Sequence, residues 1–81
     1  MLIVYGSMLC KDCVECIETF DRKNIAYEYR ELSESLQYMK DFLAYRDTLP
    51  IFDEVKKEGR IGIPCIVRED GTVTLDFEEF M

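Results

Sequence analysis

The sequence predicts an α/β fold, a four-stranded mixed sheet with helices on both faces, in the order β-α-β-α-α-β-β-α. Three observations carry that expectation. Short apolar or alternating runs of strand length are separated by segments whose apolar residues recur at helical spacing. The chain has 81 residues, 48% of them hydrophobic, enough for a single core and no more. No internal repeat and no Gly/Pro/Ser-rich linker divides it, so residues 1–81 are expected to form one domain.

Leu2 to Tyr5 is a continuous apolar run bounded by Gly6-Ser7, as expected of a short strand covered on both faces. From Lys11 to Lys23, Cys13, Cys16, Ile17 and Phe20 recur at helical spacing, while Asp12, Glu15, Glu18, Asp21 and Arg22 fall on the other side. Asn24 ends that helix. Ile25, Tyr27 and Tyr29 then alternate with Ala26, Glu28 and Arg30, the period of a half-exposed strand. Ser33 or Ser35 caps a second helix carrying Leu36, Met39, Phe42 and Leu43. A shorter helix begins near Pro50, carries Phe52 and Val55, and stops at Gly59 behind Lys56-Lys57. Ile61 to Val67 is expected as a central strand interrupted by Pro64, and Asp70-Gly71 turns the chain into a returning strand, Thr72 to Leu75. Asp76 opens a last short helix, Phe77 to Met81. The two helical crossovers in this order imply right-handed connections.

Ten basic residues against 17 acidic ones leave a formal net charge of −7, which argues against nucleic acid or an anionic membrane as partner. The absence of histidine removes Cys-His nucleophilic dyads, His-ligated zinc and imidazole acid/base chemistry. Met1 is followed by Leu2-Ile3-Val4-Tyr5, without the basic region and long apolar stretch of an export signal. A cytoplasmic location is therefore expected, where close-set cysteines are more often catalytic or metal-binding than structural disulfides.

The stretch YGSMLCKDCVECIETF concentrates the chemistry. Cys10 lies in the loop before the first helix, whose N-terminus carries about half a positive charge. Lys11 adds a full charge beside it, so both favour the thiolate, and Asp12 and Glu15 oppose them. Cys13 and Cys16 both lie inside the helix, where their Cβ atoms are about 5 to 6 Å apart against the roughly 3.5 to 4.5 Å that a disulfide needs. A Cys13–Cys16 bond is thus disfavoured, and Cys16, beside Ile17 and Phe20, is expected in the core. Cys65 follows Pro64 and is expected in the core or near the other thiols. The alternative is a metal centre: Cys10, Cys13 and Cys16 match the start of the bacterial ferredoxin run, with Cys65 as fourth ligand of an iron-sulfur cluster or metal. Against it, Phe20 stands where the run's next cysteine would be, and Cys13 and Cys16 belong to a helical pattern.

Cys10-Lys11-Asp12-Cys13 at the start of the first helix, together with Gly62-Ile63-Pro64 opening the third strand, resembles the glutaredoxins over essentially the whole chain. That resemblance implies a thioredoxin-like fold and a dithiol oxidoreductase without a cofactor. It makes Cys10 the nucleophile, Cys13 the resolving cysteine and the Ile63–Pro64 bond cis. The implied substrate is a disulfide in a protein or in a low-molecular-weight thiol adduct, with Ile63 and Pro64 binding an extended segment of it. Glutaredoxins have Pro-Tyr or Pro-Phe between the cysteines, a lysine three residues before the first, and a Gly-Gly turn with an acidic pair after the last strand. Here those places hold Lys11-Asp12, Ser7, Leu75-Asp76 and Phe77-Glu78-Glu79. Glutathione is therefore disfavoured as electron donor, with a reductase protein as its alternative, and Arg60 is the cation able to take a ligand carboxylate. A third class, an inactive interaction module on the same fold, leaves the intact dithiol unexplained.

Overall fold

Leu2–Gly6 forms β1, and the rest of the sheet is laid on either side of it. The structure is a computed structural model describing residues 1–81. β2 (Tyr27–Glu31) pairs with β1 in parallel, with Leu2 opposite Tyr27 and Gly6 opposite Glu31. β3 (Cys65–Val67) runs antiparallel to β1, with Val4 opposite Ile66, and β4 (Val73–Thr74) runs antiparallel to β3. The strand order is β2-β1-β3-β4, a four-stranded mixed sheet. Only the first helical connection joins parallel strands. The second delivers β3 in the opposite direction, which corrects the expectation of two crossover units.

Helix α1 (Lys11–Arg22) follows β1, and its N-cap is a sulfur, with the Cys13 N–H donating to Cys10 Sγ at 3.4 Å. Asn24 ends it in the left-handed region at φ 58°, which suits its short polar side chain. Helix α2 (Leu36–Thr48) is capped by Ser35, whose hydroxyl accepts from the Tyr38 N–H; Ser33 bonds Glu31 instead. A 3-10 turn, Pro50–Phe52, runs directly into α3 (Asp53–Lys57). The last helix is also 3-10, Phe77–Phe80, capped by Asp76.

β3 is shorter than the expected run from Ile61. Pro64 has no N–H to give a ladder, and Gly62 sits at φ 96°, so residues 60–64 form a loop rather than a strand. β4 is cut to two residues because the Asp70 carboxylate bonds both the N–H and hydroxyl of Thr72, holding it in the turn.

Alternation along the central strands divides the core into two layers. Tyr5, Cys65 and Val67 pack with Leu32, Phe42, Phe52 and Val55 from the α2–α3 side. Val4 and Ile66 face the other way and pack with Cys16 and Phe20 of α1, with Phe77 and Phe80 against them. Helices thus cover both faces. Each fully buried large side chain contributes about 1.5–3 kcal/mol, and edge-on pairs reinforce both layers: Phe42 on Phe52 at 6.0 Å and Phe20 on Phe80 at 5.3 Å between centroids. Of the apolar residues expected to seat α2, Phe42 is buried, while Leu36 is 72% exposed in the first turn. Tyr38, Met39 and Tyr45 complete the α2 contact. No helix is long and apolar enough to cross a membrane.

Candidate functional site

The end of β1 turns through Ser7-Met8-Leu9 into α1, and this junction decides where the sulfurs go. The Cys10 N–H closes the turn on Ser7 O at 3.0 Å, placing the Cys10 side chain, half-buried, at the helix mouth. One turn on, Cys13 is fully buried against β1. That approach requires Gly6, because a Cβ there would lie 2.9 Å from Cys13 Sγ. Burial raises the pKa of Cys13, partly offset by the Ser7 backbone, while the neighbouring Cys10 side chain adds to the rise. Cys16 and Cys65 are fully buried as well, and burial pushes both thiols up to about 12. All four cysteines are free.

Cys10 lines a cleft of about 560 Å³ between the start of α1, the loop at residues 59–64 and the segment 75–78. Ile63 and Pro64 stand on its wall, joined by a cis peptide bond, as does Arg60. The structure therefore brings Cys10, Arg60, Ile63 and Pro64 together. Lys11, the first residue of α1, is exposed and does not line the cleft. Cys13 lies behind Cys10, outside the lining. Leu75, Asp76, Phe77 and Glu78 form the wall beyond the last strand, and Asp12 and Glu15 project from α1. Four carboxylates face one guanidinium, which Glu58 already binds at 2.5 Å.

Residues without a sequence motif hold this arrangement in place. A Cβ at Gly62 would meet Phe52 Cδ1 at 2.8 Å and Val55 Cγ2 at 3.2 Å, so the 3-10 turn and α3 pack hard against the loop that carries Ile63 and Pro64. From α2, Arg46 donates through Nε to Ile61 O at 2.7 Å and through its Nη2 to Arg60 O at 2.8 Å. On the other side, Glu31 at the end of β2 accepts from the Met8 N–H at 2.9 Å, the Tyr29 hydroxyl at 3.0 Å and the Ser33 hydroxyl at 2.9 Å. Burial works against its charge, but these hydrogen bonds outweigh it and hold the carboxyl below the usual carboxylate range. Glu31 thereby pins the loop before Cys10. Nothing in the spacing of Glu31 or Arg46 marks them, because each acts on backbone far away in sequence.

The four-cysteine ligand set does not converge. Cys16 and Cys65 belong to core layers on opposite faces of the sheet, and no three cysteine or carboxylate side chains come together to hold a metal ion. A protein of Haemophilus influenzae described as uncharacterized is 31% identical over 77 residues, covering 95% of this chain and 90% of its own length. The chain belongs to the family of that protein. No family model matches the chain. No solved structure matches it either.

Proposed function

We propose that the protein is a glutaredoxin-like thiol-disulfide oxidoreductase with a thioredoxin-like fold, acting in the cytoplasm. The observation that carries the reading is the position of Cys10, the N-cap of α1, on the wall of a cleft that it shares with Ile63 and Pro64. The β2-β1-β3-β4 order with one parallel pair supports the fold assignment.

In the proposed cycle the Cys10 thiolate attacks one sulfur of a substrate disulfide. A Cys10–substrate S–S bond forms, the substrate S–S bond breaks, and the first substrate thiolate leaves and takes a proton. Cys13 then gives its proton to solvent or to the departing thiolate, and its sulfur attacks Cys10. The Cys10–Cys13 bond forms and the second substrate thiol is released. The two cysteines have lost two electrons and the substrate has gained two. A dithiol of a reductase protein, or a low-molecular-weight thiol, returns them. Ile63 offers its backbone to an extended substrate segment. Burial, with the Cys10 side chain adding to it, raises the pKa of the Cys13 thiol, and Cys13 lies fully buried behind Cys10, which distinguishes the resolving thiol from the attacking one.

Cys10→Ser is expected to abolish reduction of a mixed disulfide, and Cys13→Ser to accumulate a covalent Cys10–substrate adduct visible by mass spectrometry. Undiminished turnover by Cys10→Ser overturns the proposal.

A further inference from the structure

Resting on that reading of Cys10, we propose that the cleft selects disulfides whose organic part carries an ammonium group close to the sulfur. The cleft, about 560 Å³, is of the size that takes a small molecule or a short peptide segment. Its carboxylates, Asp12, Glu15, Asp76 and Glu78, surround the approach to Cys10, and none of them forms an ion pair. Arg60 is the cation in the lining, and Glu58 engages it at 2.5 Å and 2.8 Å, so its charge is answered from within the chain. The net charge of −7 extends the same sign of field beyond the cleft. Leu75, Phe77 and Val55 supply apolar wall for a short alkyl link between sulfur and ammonium.

The chemistry is that of the proposed cycle, and charge alters only which disulfide reaches Cys10. A carboxylate-bearing disulfide meets uncompensated carboxylates, a neutral one meets none of its own sign, and a cationic one is drawn in. The ammonium group has two sources, a free amine-bearing thiol or a lysine beside a cysteine in a protein.

The test is a single turnover of the fully reduced protein, which supplies both electrons itself. Loss of protein thiols is timed in excess cystamine, hydroxyethyl disulfide or dithiodipropionate at low salt. Each rate is divided by that of dithiothreitol with the same disulfide, which removes differences in leaving group. The normalised cystamine rate is expected to exceed that of hydroxyethyl disulfide by about tenfold, with dithiodipropionate slowest. At about 0.5 M sodium chloride the order should compress to within roughly twofold. The triple change Asp12→Asn, Glu15→Gln, Glu78→Gln should compress it without salt, and the salt series on the unaltered chain stands if that variant fails to fold. Equal normalised rates, or dithiodipropionate fastest, overturn the selectivity while leaving disulfide reduction in place. No thiol loss with any of the three overturns disulfide reduction itself. Disulfide-linked peptides with lysine or glutamate beside the cysteine distinguish the sources. A lysine peptide faster than cystamine places the substrate in a protein, a slower one places it among small thiols, and a glutamate peptide faster than its lysine counterpart again overturns the selectivity.

Discussion

Cys10 faces a cleft while Cys13, Cys16 and Cys65 are sealed, and that difference is measurable without any substrate. Brief treatment of the native protein with iodoacetamide should modify one thiol, and unfolding should expose four. Burial moves the Cys16 and Cys65 thiols from an ordinary 9.0 to about 12, so between those values the unfolded chain loses protons that the folded chain keeps. The stability they support is complete below pH 9 and is lost as pH rises toward 12. Alkaline unfolding followed by circular dichroism should therefore be shallower in Cys16→Ala/Cys65→Ala, which retains disulfide reduction and loses about 1–3 kcal/mol of stability at neutral pH. An unchanged alkaline limb assigns it to other groups. The helical spacing of Cys16 with Ile17 and Phe20 made its core position legible. Cys65 follows from the apolar run after Pro64. Glu31 was not legible, since a carboxylate at a strand end looks like any solvated charge until Met8 is seen folding back on it.

At the scale of elements, periodicity located every helix and all four strands but overran the ends of the third and fourth. Apolar spacing and capping residues are local, so α1, α2 and the Pro50 turn appear where their sequences place them. Strand length depends on partners, and β3 starts only at Cys65 because Gly62 and Pro64 hold the preceding residues in a loop. The 3-10 turn and α3 brace the cleft wall through Phe52 and Val55. Gly62→Ala places a side chain at positive φ and against the Phe52 ring. It should cost about 1–3 kcal/mol in urea unfolding and slow disulfide reduction with it. Gly71→Ala, also at positive φ but with open space around it, serves as the comparison and should leave turnover unchanged. Equal losses at the two positions would show that backbone strain, not the fit against Phe52, sets the requirement at Gly62.

Across the whole molecule, the acidic balance read from composition becomes a local property of the cleft, where Asp76 and Glu78 line the wall beyond the last strand; under the proposed glutaredoxin-like reading, this is the segment that would have to hold glutathione. Under the same reading, the family's glycine turn and its charges are absent here together, and with them the hydrogen bonds that would fix that ligand. Turnover with glutathione and its reductase is therefore expected to rise without saturating below millimolar concentration, and to be slower than with a thioredoxin-reductase system. Saturation in the sub-millimolar range would show a rebuilt glutathione site. Which residues share the cleft was only partly legible, because Asp12 and Asp76 meet across it only once the sheet is assembled. Arg46 has a mechanical consequence. Its guanidinium, rooted in α2 on one face of the sheet, grips the carbonyls of Arg60 and Ile61 on the cleft wall. A ligand that tightens the wall must tighten its anchor too, so occupancy of the cleft should slow amide hydrogen exchange along α2 as well as beside Cys10, and Arg46→Met should uncouple the two.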